Sequence, residues 1–467
     1  MKRVVVACAA AVLIAVAGCG STAGTSGAPD PATLAPPGTL AFATFTIAPQ
    51  GQEKVDFDAA FGKLLGPNPE AKLGAAFTKA TSTSGNLDYL GDVKPWLGDT
   101  ISVAVTRVAP HGGDFALLVA STDDQKAHAA IDKDLAGLNP QTHSYRDVSY
   151  KVLDDGTANG VVSHFVVAGT EPAFKAVVDA AKDSKSLAGS DQWKASVGNR
   201  GDGKVGLAYV DAKGLLTSLA SNLPGAQRLA APLLLGLVQL HPFVATLDAQ
   251  PDALVGDLSS PGTKPDPRGP GAASSPLIES MPADAWLALA VPDVGQALSK
   301  VGDALKANPL IAAQYNQVAQ RFRRRTGLDL DNDVLKLGDV GLFARGTTKS
   351  SVAATVVAES PEATLRRLQA LASQAKHGHL QVRAPQRSAQ ALGSTALFAK
   401  AKAAIGQRPT LLVDFAPALA LAAKSPHHRG DAEFQRALPR LRHIEYVAAG
   451  ARQDGGLDVA RAVIGLR

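Results

Sequence analysis

The sequence predicts an α+β fold made twice over: an internally duplicated unit of largely antiparallel sheet with packed helices, present in two copies. Three observations carry this prediction. Short runs of β-type residues come in adjacent pairs with helical stretches between them, the pattern of antiparallel sheets and not of a doubly wound parallel one. Blocks of the first half recur in the same order in the second. A Pro-, Gly- and Ser-rich segment without apolar period, residues 259–276, separates the halves. The chain has 467 residues, 46% of them hydrophobic and 19% charged, which is enough apolar material for sizeable cores. Aromatic residues make up only 5%, so those cores must be built mainly from Ala, Val and Leu.

The N-terminus comes first in the order of elements. Lys2 and Arg3 precede an apolar run from Val4 to Ala17, too short to span a membrane comfortably and flanked like a signal peptide. Val16-Ala17-Gly18-Cys19 resembles a bacterial lipobox, which implies a signal peptide over residues 1–18 and lipid attachment to Cys19. Two acyl chains there would anchor the protein stably, where one would be marginal. Cys8 and Cys19 are the two cysteines, so the body has no disulfide and no thiol nucleophile. Residues 19–36, small, polar and rich in Pro, read as a flexible tether.

The first repeat is expected over residues 37–258 and the second, shorter one over 277–467. Residues 37–43 (PGTLAFA) match 282–288 (PADAWLA), each opening a strand before an amphipathic helical stretch. Asp-Val-Lys-Pro-Trp-Leu-Gly-Asp (92–99) matches Asp-Val-Leu-Lys-Leu-Gly-Asp (333–339) with one residue fewer. Strands follow each block, at 101–105 and 115–120 and at 341–344 and 352–358, and each series then enters a helix, at 123–138 and 361–374. Gly206-Leu-Ala-Tyr-Val-Asp211 matches Thr410-Leu-Leu-Val-Asp414. Residues 241–258 and 443–460 each read as a hairpin, turning at Pro251-Asp252 and Asp454-Gly455. The first copy has an extra strand pair, 149–153 and 161–168, turned by Asp154-Asp155-Gly156, and a helix over 171–182. The second has a basic loop at 376–390 in that place.

The opening Pro-Pro-Gly-Thr-Leu-Ala-Phe, the 92–99 block and Val-Ala-Gly-Thr-Glu-Pro-Ala-Phe (167–174) resemble an uncharacterised bacterial family, domain of unknown function 3352. Many of its members look membrane-anchored. The resemblance would cover residues 36–467, and the second copy departs from it by lacking the Pro-Trp pair. It implies no activity, substrate or catalytic residue.

Charge is divided between the halves. Residues 20–276 carry 20 Lys and Arg against 26 Asp and Glu, and residues 277–467 carry 25 against 16. The basic half suits anionic lipid or a wall polymer, or it neutralises the acidic half. Arg321, Arg323, Arg324 and Arg325 are expected to end a helix begun near Leu298, with Gly327 as its stop, or else to form a specific anion site.

No set of residues announces a reaction. The ten histidines form no HExxH. His377-Gly-His379 and His427-His428 lie in loops without flanking carboxylates and read as solvated, so no metal is expected. There is no GxSxG elbow. Residues 198–203 have the wrong glycine order for a dinucleotide loop and precede a strand, so no cofactor is expected. Asp329-Leu-Asp331-Asn-Asp333 has Val334 and Val340 where a calcium loop needs Gly and Glu, and reads as a turn. Asp99 and Asp339 are expected to cap backbone donors at a turn. The apolar stretch 229–240 reads as a buried helix, the wall of a groove or a partner-docking face. Trp96, with Leu337 in the equivalent place, is expected in the core.

The functional expectation is a lipid-anchored protein on the extracytoplasmic face of the cell membrane, non-enzymatic, acting as a binding or interaction module. Its partners would be the membrane through Cys19 and an envelope protein, anionic lipid or wall polymer, and not nucleic acid. The alternatives are a carrier of a lipid or other amphiphile in an apolar cavity, and an enzyme with an unrecognised site.

Overall fold

The computed structural model describes residues 29–467 other than 110–111, 199, 222–239, 261–273, 308, 349–350, 375–379, 387, 426–427, 429 and 455–456. The chain divides into two compact units, 1–264 and 265–467, with the break inside the Pro- and Gly-rich segment.

The first unit contains β1 (Ala41–Thr46), α1 (Gly51–Leu65), α2 (Pro69–Thr81), β2 (Leu97–Ala109), β3 (Gly112–Ser121), α3 (Asp124–Asp134), β4 (Gln141–Tyr145), β5 (Val148–Val152), β6 (Thr157–Val162), β7 (Phe165–Thr170), α4 (Glu171–Asp183), α5 (Asp191–Ser196), β8 (Gly206–Val210), α6 (Ala212–Ser221), β9 (Phe243–Gln250) and β10 (Ala253–Ser259). The strands pair antiparallel in the order β4-β5-β6-β7-β3-β2-β1-β8-β9-β10. Side chains alternate across a strand, so this sheet has two faces to cover. One carries Phe42, Ala104, Leu118, Val167 and Tyr209, packed with Phe174, Val177 and Val178 of α4 and with Trp193 of α5. The other carries Val119 and Val166, packed with Trp96 and with Ala127, Ala130 and Ile131 of α3. On this second face Phe45 also meets Phe57 and Phe61 of α1.

The second unit contains α7 (Leu277–Ser280), β11 (Leu287–Val291), α8 (Val294–Lys306), α9 (Pro309–Thr326), β12 (Val340–Arg345), β13 (Ala353–Ala358), α10 (Glu362–Gln374), β14 (Leu380–Arg383), α11 (Ala396–Ile405), β15 (Leu411–Asp414), α12 (Phe415–Lys424), α13 (Ala432–Leu441), β16 (Ile444–Asp454) and β17 (Leu457–Leu466). Its strands run in the order β14-β13-β12-β11-β15-β16-β17, antiparallel except for the β13–β14 pair. Phe398, Ala401 and Ile405 of α11 are buried, and that helix packs on β15, β16 and β17. From β3 through β10 and from β13 through β17, omitting β4–β7 and β14, the two orders are the same.

Several expectations are corrected. The tether does not extend to residue 36. Pro31–Thr33 forms a 3-10 turn capped by Asp30, and Ala32, Leu34 and Ala35 are buried in the first core, because three small apolar side chains repay the ordering of a short segment. The ends of the 259–276 linker are also packed: Ser259 closes β10, and Ser275 is buried before α7. The insertion in the first unit is a four-stranded meander, β4–β7, with three hairpin turns. The expected strand 161–168 is broken at Ser163-His164, both with positive φ (47° and 64°), and β4–β5 turns likewise at Arg146-Asp147. Two-residue loops of this kind normally advertise themselves with Asn-Gly, which neither has. The basic loop at 376–390 includes strand β14. The helix expected from Leu298 to Arg325 is two helices, with Pro309 at the first position of the second, where a missing N–H costs nothing.

Candidate functional site

The most organised polar feature stands where the second sheet face meets its helices, and it occurs in both units. Between α2 and β2 the chain makes a π-helical turn, Tyr89–Val93, and between α9 and β12 another, Leu330–Val334. In the first, Asp88 accepts a hydrogen bond from the Gly91 N–H at 2.7 Å, and the Asp88 N–H donates to Asp92 Oδ2 at 2.8 Å. In the second, Asp329 accepts from the Asn332 N–H at 2.9 Å, and the Asp329 N–H donates to Asp333 Oδ2 at 2.8 Å. Each pair is thus a reciprocal cap: the first aspartate satisfies a free donor of the turn, and the last satisfies the first one's own N–H.

The helix after the next strand pair supplies a cation to each cap. Lys133 of α3 reaches both oxygens of Asp92, at 2.6 and 2.7 Å. Arg367 of α10 pairs with Asp333, which also accepts from Thr364 Oγ1 at 2.7 Å. The hydrogen bond from Lys133, then the backbone donor of Asp88, holds the Asp92 carboxyl below the ordinary carboxylate range. Burial pushes Asp333 upward, but the Asp329 N–H, Thr364 and Arg367 together outweigh it and leave this carboxyl low as well. Asp331 is held low by Lys306, and it also accepts from Tyr315 at 3.2 Å. These acids are ionised and saturated with donors, a chemistry of clamping.

A second cluster joins the β4–β5 hairpin to α4. Glu171 Oε1 accepts from Tyr150 at 2.8 Å and meets Lys175 at 2.9 Å and His143 at 3.6 Å. Lys175, then Tyr150, holds this carboxyl low. Two and three turns on from Glu171, Asp179 and Asp183 pair with Arg146. A general acid or base is tuned toward the working pH, whereas Glu171 and Asp183 are tuned away from it.

Beside the first π-helical turn lies a cavity of about 80 Å3 between the sheet, α2 and α3, walled by Phe77, Trp96, Leu117, Ile131 and Val166, with Asn159 among its lining. At its edge Asp134 accepts from Ser82, from the Thr83 N–H and from Ser84, fixing the loop after α2.

The residues expected from sequence are distributed as follows. Cys19 lies outside the described residues, as do His111, His377, His379 and His427, and all of 229–240 except Leu240. His164 pairs with Asp124 at 2.9 Å, and His428 stacks on Phe434. Among the described residues no group of three His, Cys, Asp or Glu could hold a metal ion. Asp329 and Asp333 form the second cap. Asp339 does cap a donor, the Asp293 N–H ahead of α8, at 3.1 Å. Asp99 is buried. Trp96 is buried and donates to the Asp92 carbonyl at 2.7 Å, which fits the core reading. The sequence reading missed Asp88, Lys133 and Arg367. The signal for Asp88 was present as an aspartate four residues before Asp92 that recurs as Asp329 before Asp333.

A family profile described as "Protein of unknown function (DUF3352)" matches residues 3–392. No curated protein matches the chain. Two crystal forms of TP0453, forms III and I, resemble it with a TM-score of 0.28 and 10% identity; they cover 51% and 52% of this chain and 82% of their own.

Proposed function

We propose, for a chain that belongs to the DUF3352 family of proteins of unknown function, a role as a lipid-anchored cell-envelope protein that acts without catalysis as a binding or interaction module. The observation that carries this reading is the use made of the buried and clustered acids. Asp92, Asp333 and Glu171 are each held low by the donors around them, Lys133 first for Asp92, the Asp329 N–H first for Asp333 and Lys175 first for Glu171, and are turned to joining neighbouring elements. The shared strand order and the two identical reciprocal caps support reading the body as one duplicated unit. They are the same device at the same point of the same topology.

The core of the first unit bears on the alternative of a carrier. Ligand pockets commonly enclose about 300–1,000 Å3, whereas the cavity beside Trp96 holds about 80 Å3. That is room for a few waters and not for an acyl chain. The location rests on the Lys2-Arg3 and Val16–Cys19 pattern. No helix among the described residues is long and apolar enough to cross a membrane, so attachment would fall to the lipid on Cys19.

Cell fractionation tests the anchor. The Cys19→Ser variant should move from the membrane fraction to the soluble one. Full retention of that variant in membranes would refute lipid anchoring. Extraction of the purified protein with organic solvent tests the function: release of stoichiometric lipid from a Cys19→Ser body would replace the module by the carrier.

A further inference from the structure

The C-terminal end of α9 carries more positive charge than its helix needs. Arg321, Arg324 and Arg325 are exposed, and three- and four-residue spacing places them together on one surface. Among the described residues no carboxylate lies within ion-pair distance of any of them; the neighbouring Arg323 is the one that reaches an acid, Asp329, at 3.5 Å. Nor do they cap the helix. Gly327, with φ of 71°, donates its N–H to the Arg323 carbonyl at 2.8 Å, and Thr326 Oγ1 donates to the Phe322 carbonyl at 2.8 Å. The stop is built from Thr326 and Gly327, so beyond complementing the helix's C-terminal charge the three guanidinium groups make no ion pair or hydrogen bond among the described residues.

Val318, 58% exposed, sits three residues before Arg321 and seven before Arg325, on the same side of α9. An apolar side chain set among arginines suits a boundary with headgroups outside and hydrocarbon beneath. It offers nothing to a hydrophilic polymer. Guanidinium forks match phosphate oxygens in pairs, and residues 277–467 carry an excess of positive charge behind this patch, 25 Lys and Arg against 16 Asp and Glu.

We propose that Arg321, Arg324, Arg325 and Val318 form a contact site for anionic phospholipid headgroups, by which the second unit lies on a membrane surface. This deepens the envelope reading and rests on it for the presence of a membrane, but its test does not need the anchor.

The whole body without the lipid, residues 20–467 with no cysteine, is sedimented with vesicles of equal parts phosphatidylglycerol and phosphatidylcholine, and with phosphatidylcholine alone. Binding should appear only on the anionic vesicles in about 50 mM salt and disappear in about 0.5 M salt. Changing Arg321, Arg324 and Arg325 together to Gln should weaken it about tenfold or more, with the thermal midpoint unchanged. The triple Lys variant should keep most of the binding, which separates charge from packing. Equal binding to neutral vesicles, or undiminished binding by the triple Gln variant, overturns the proposal. So does displacement from vesicles by soluble glycerol-phosphate polymer at lower concentration than by phosphatidylglycerol, which would assign the patch to the wall. A lowered midpoint in both triple variants would return the arginines to a structural role.

Discussion

Asp333 shows how much one carboxylate can hold. It ties the start of its turn through the Asp329 N–H, and it ties α10 through Thr364 and Arg367. Replacing it with Ala strands a buried hydroxyl and a backbone donor, a loss of about 1–3 kcal/mol. A denaturant titration of Asp333→Ala should show that loss. A carboxyl held below its ordinary range contributes stability above that range and loses it as the pH falls through the folded value. Both Asp92 and Asp333 are lowered, so wild-type stability should fall on acidification below about pH 4. The double variant Asp92→Asn, Asp333→Asn should be less stable at neutral pH and show a flatter decline, read from thermal midpoints between about pH 6 and 3. Trp96 is 5% exposed and lies in the same corner, so Trp96→Ala should cost about 3–5 kcal/mol. Trp96→Leu should cost less, since the half-buried Leu337 stands in the equivalent place. Unfolding midpoints of the two variants give the order. The burial of Trp96 was legible from an apolar position that the two halves share. Lys133 and Arg367 were not, because a lone cation on a helix looks the same whether it meets solvent or an acid forty residues away.

At the scale of elements, pairs of strands with recognisable turn residues were legible and the others were not. The Pro251-Asp252 turn and the Asp154-Asp155-Gly156 turn stand where the sequence marks them, and Gly156 has φ of 80°. Ser163-His164 hides its turn, since both residues take positive φ without glycine. The β6–β7 register, with Val162 opposite Phe165, must come from the sheet and not from the loop. Left-handed backbone costs a residue other than glycine roughly 1 kcal/mol or more. The exposed pair of His164 with Asp124 offsets little of that. Changing Ser163-His164 to Asn-Gly should therefore raise the thermal midpoint by a few degrees. A fall would mean that the His164–Asp124 pair outweighs the strain. Gly98 makes the opposite demand: a Cβ there would lie 2.7 Å from that of Ala120, so Gly98→Ala should destabilise the first unit. The tether was overextended for a related reason. Ala32, Leu34 and Ala35 look like linker composition, and only the core around Phe174 and Leu187 turns them into packing.

For the whole molecule, the order of elements was readable because two halves of one chain could be set against each other. The strands that correspond in the two orders bury apolar residues, Phe42 and Tyr209 facing each other on β1 and β8, and Ala288 and Leu412 on β11 and β15. What separates the units in architecture is the edge of each sheet: antiparallel β7 closes on β3 in the first, parallel β14 on β13 in the second. A four-residue strand such as β14 has too short a pattern to read. Asp92, Asp333 and Glu171 hold this architecture, and under the proposed function the molecule is a membrane-anchored module that binds through its surfaces. Native mass spectrometry of the protein purified from its own envelope tests that proposal most directly. The predicted result is a chain beginning at a diacylated Cys19, bound to a second protein and, after washing in about 0.5 M salt to release surface headgroup contacts, free of any other lipid. A chain that keeps residues 1–18 without a lipid, or one that holds a separate lipid in stoichiometric amount with no protein partner, would contradict it.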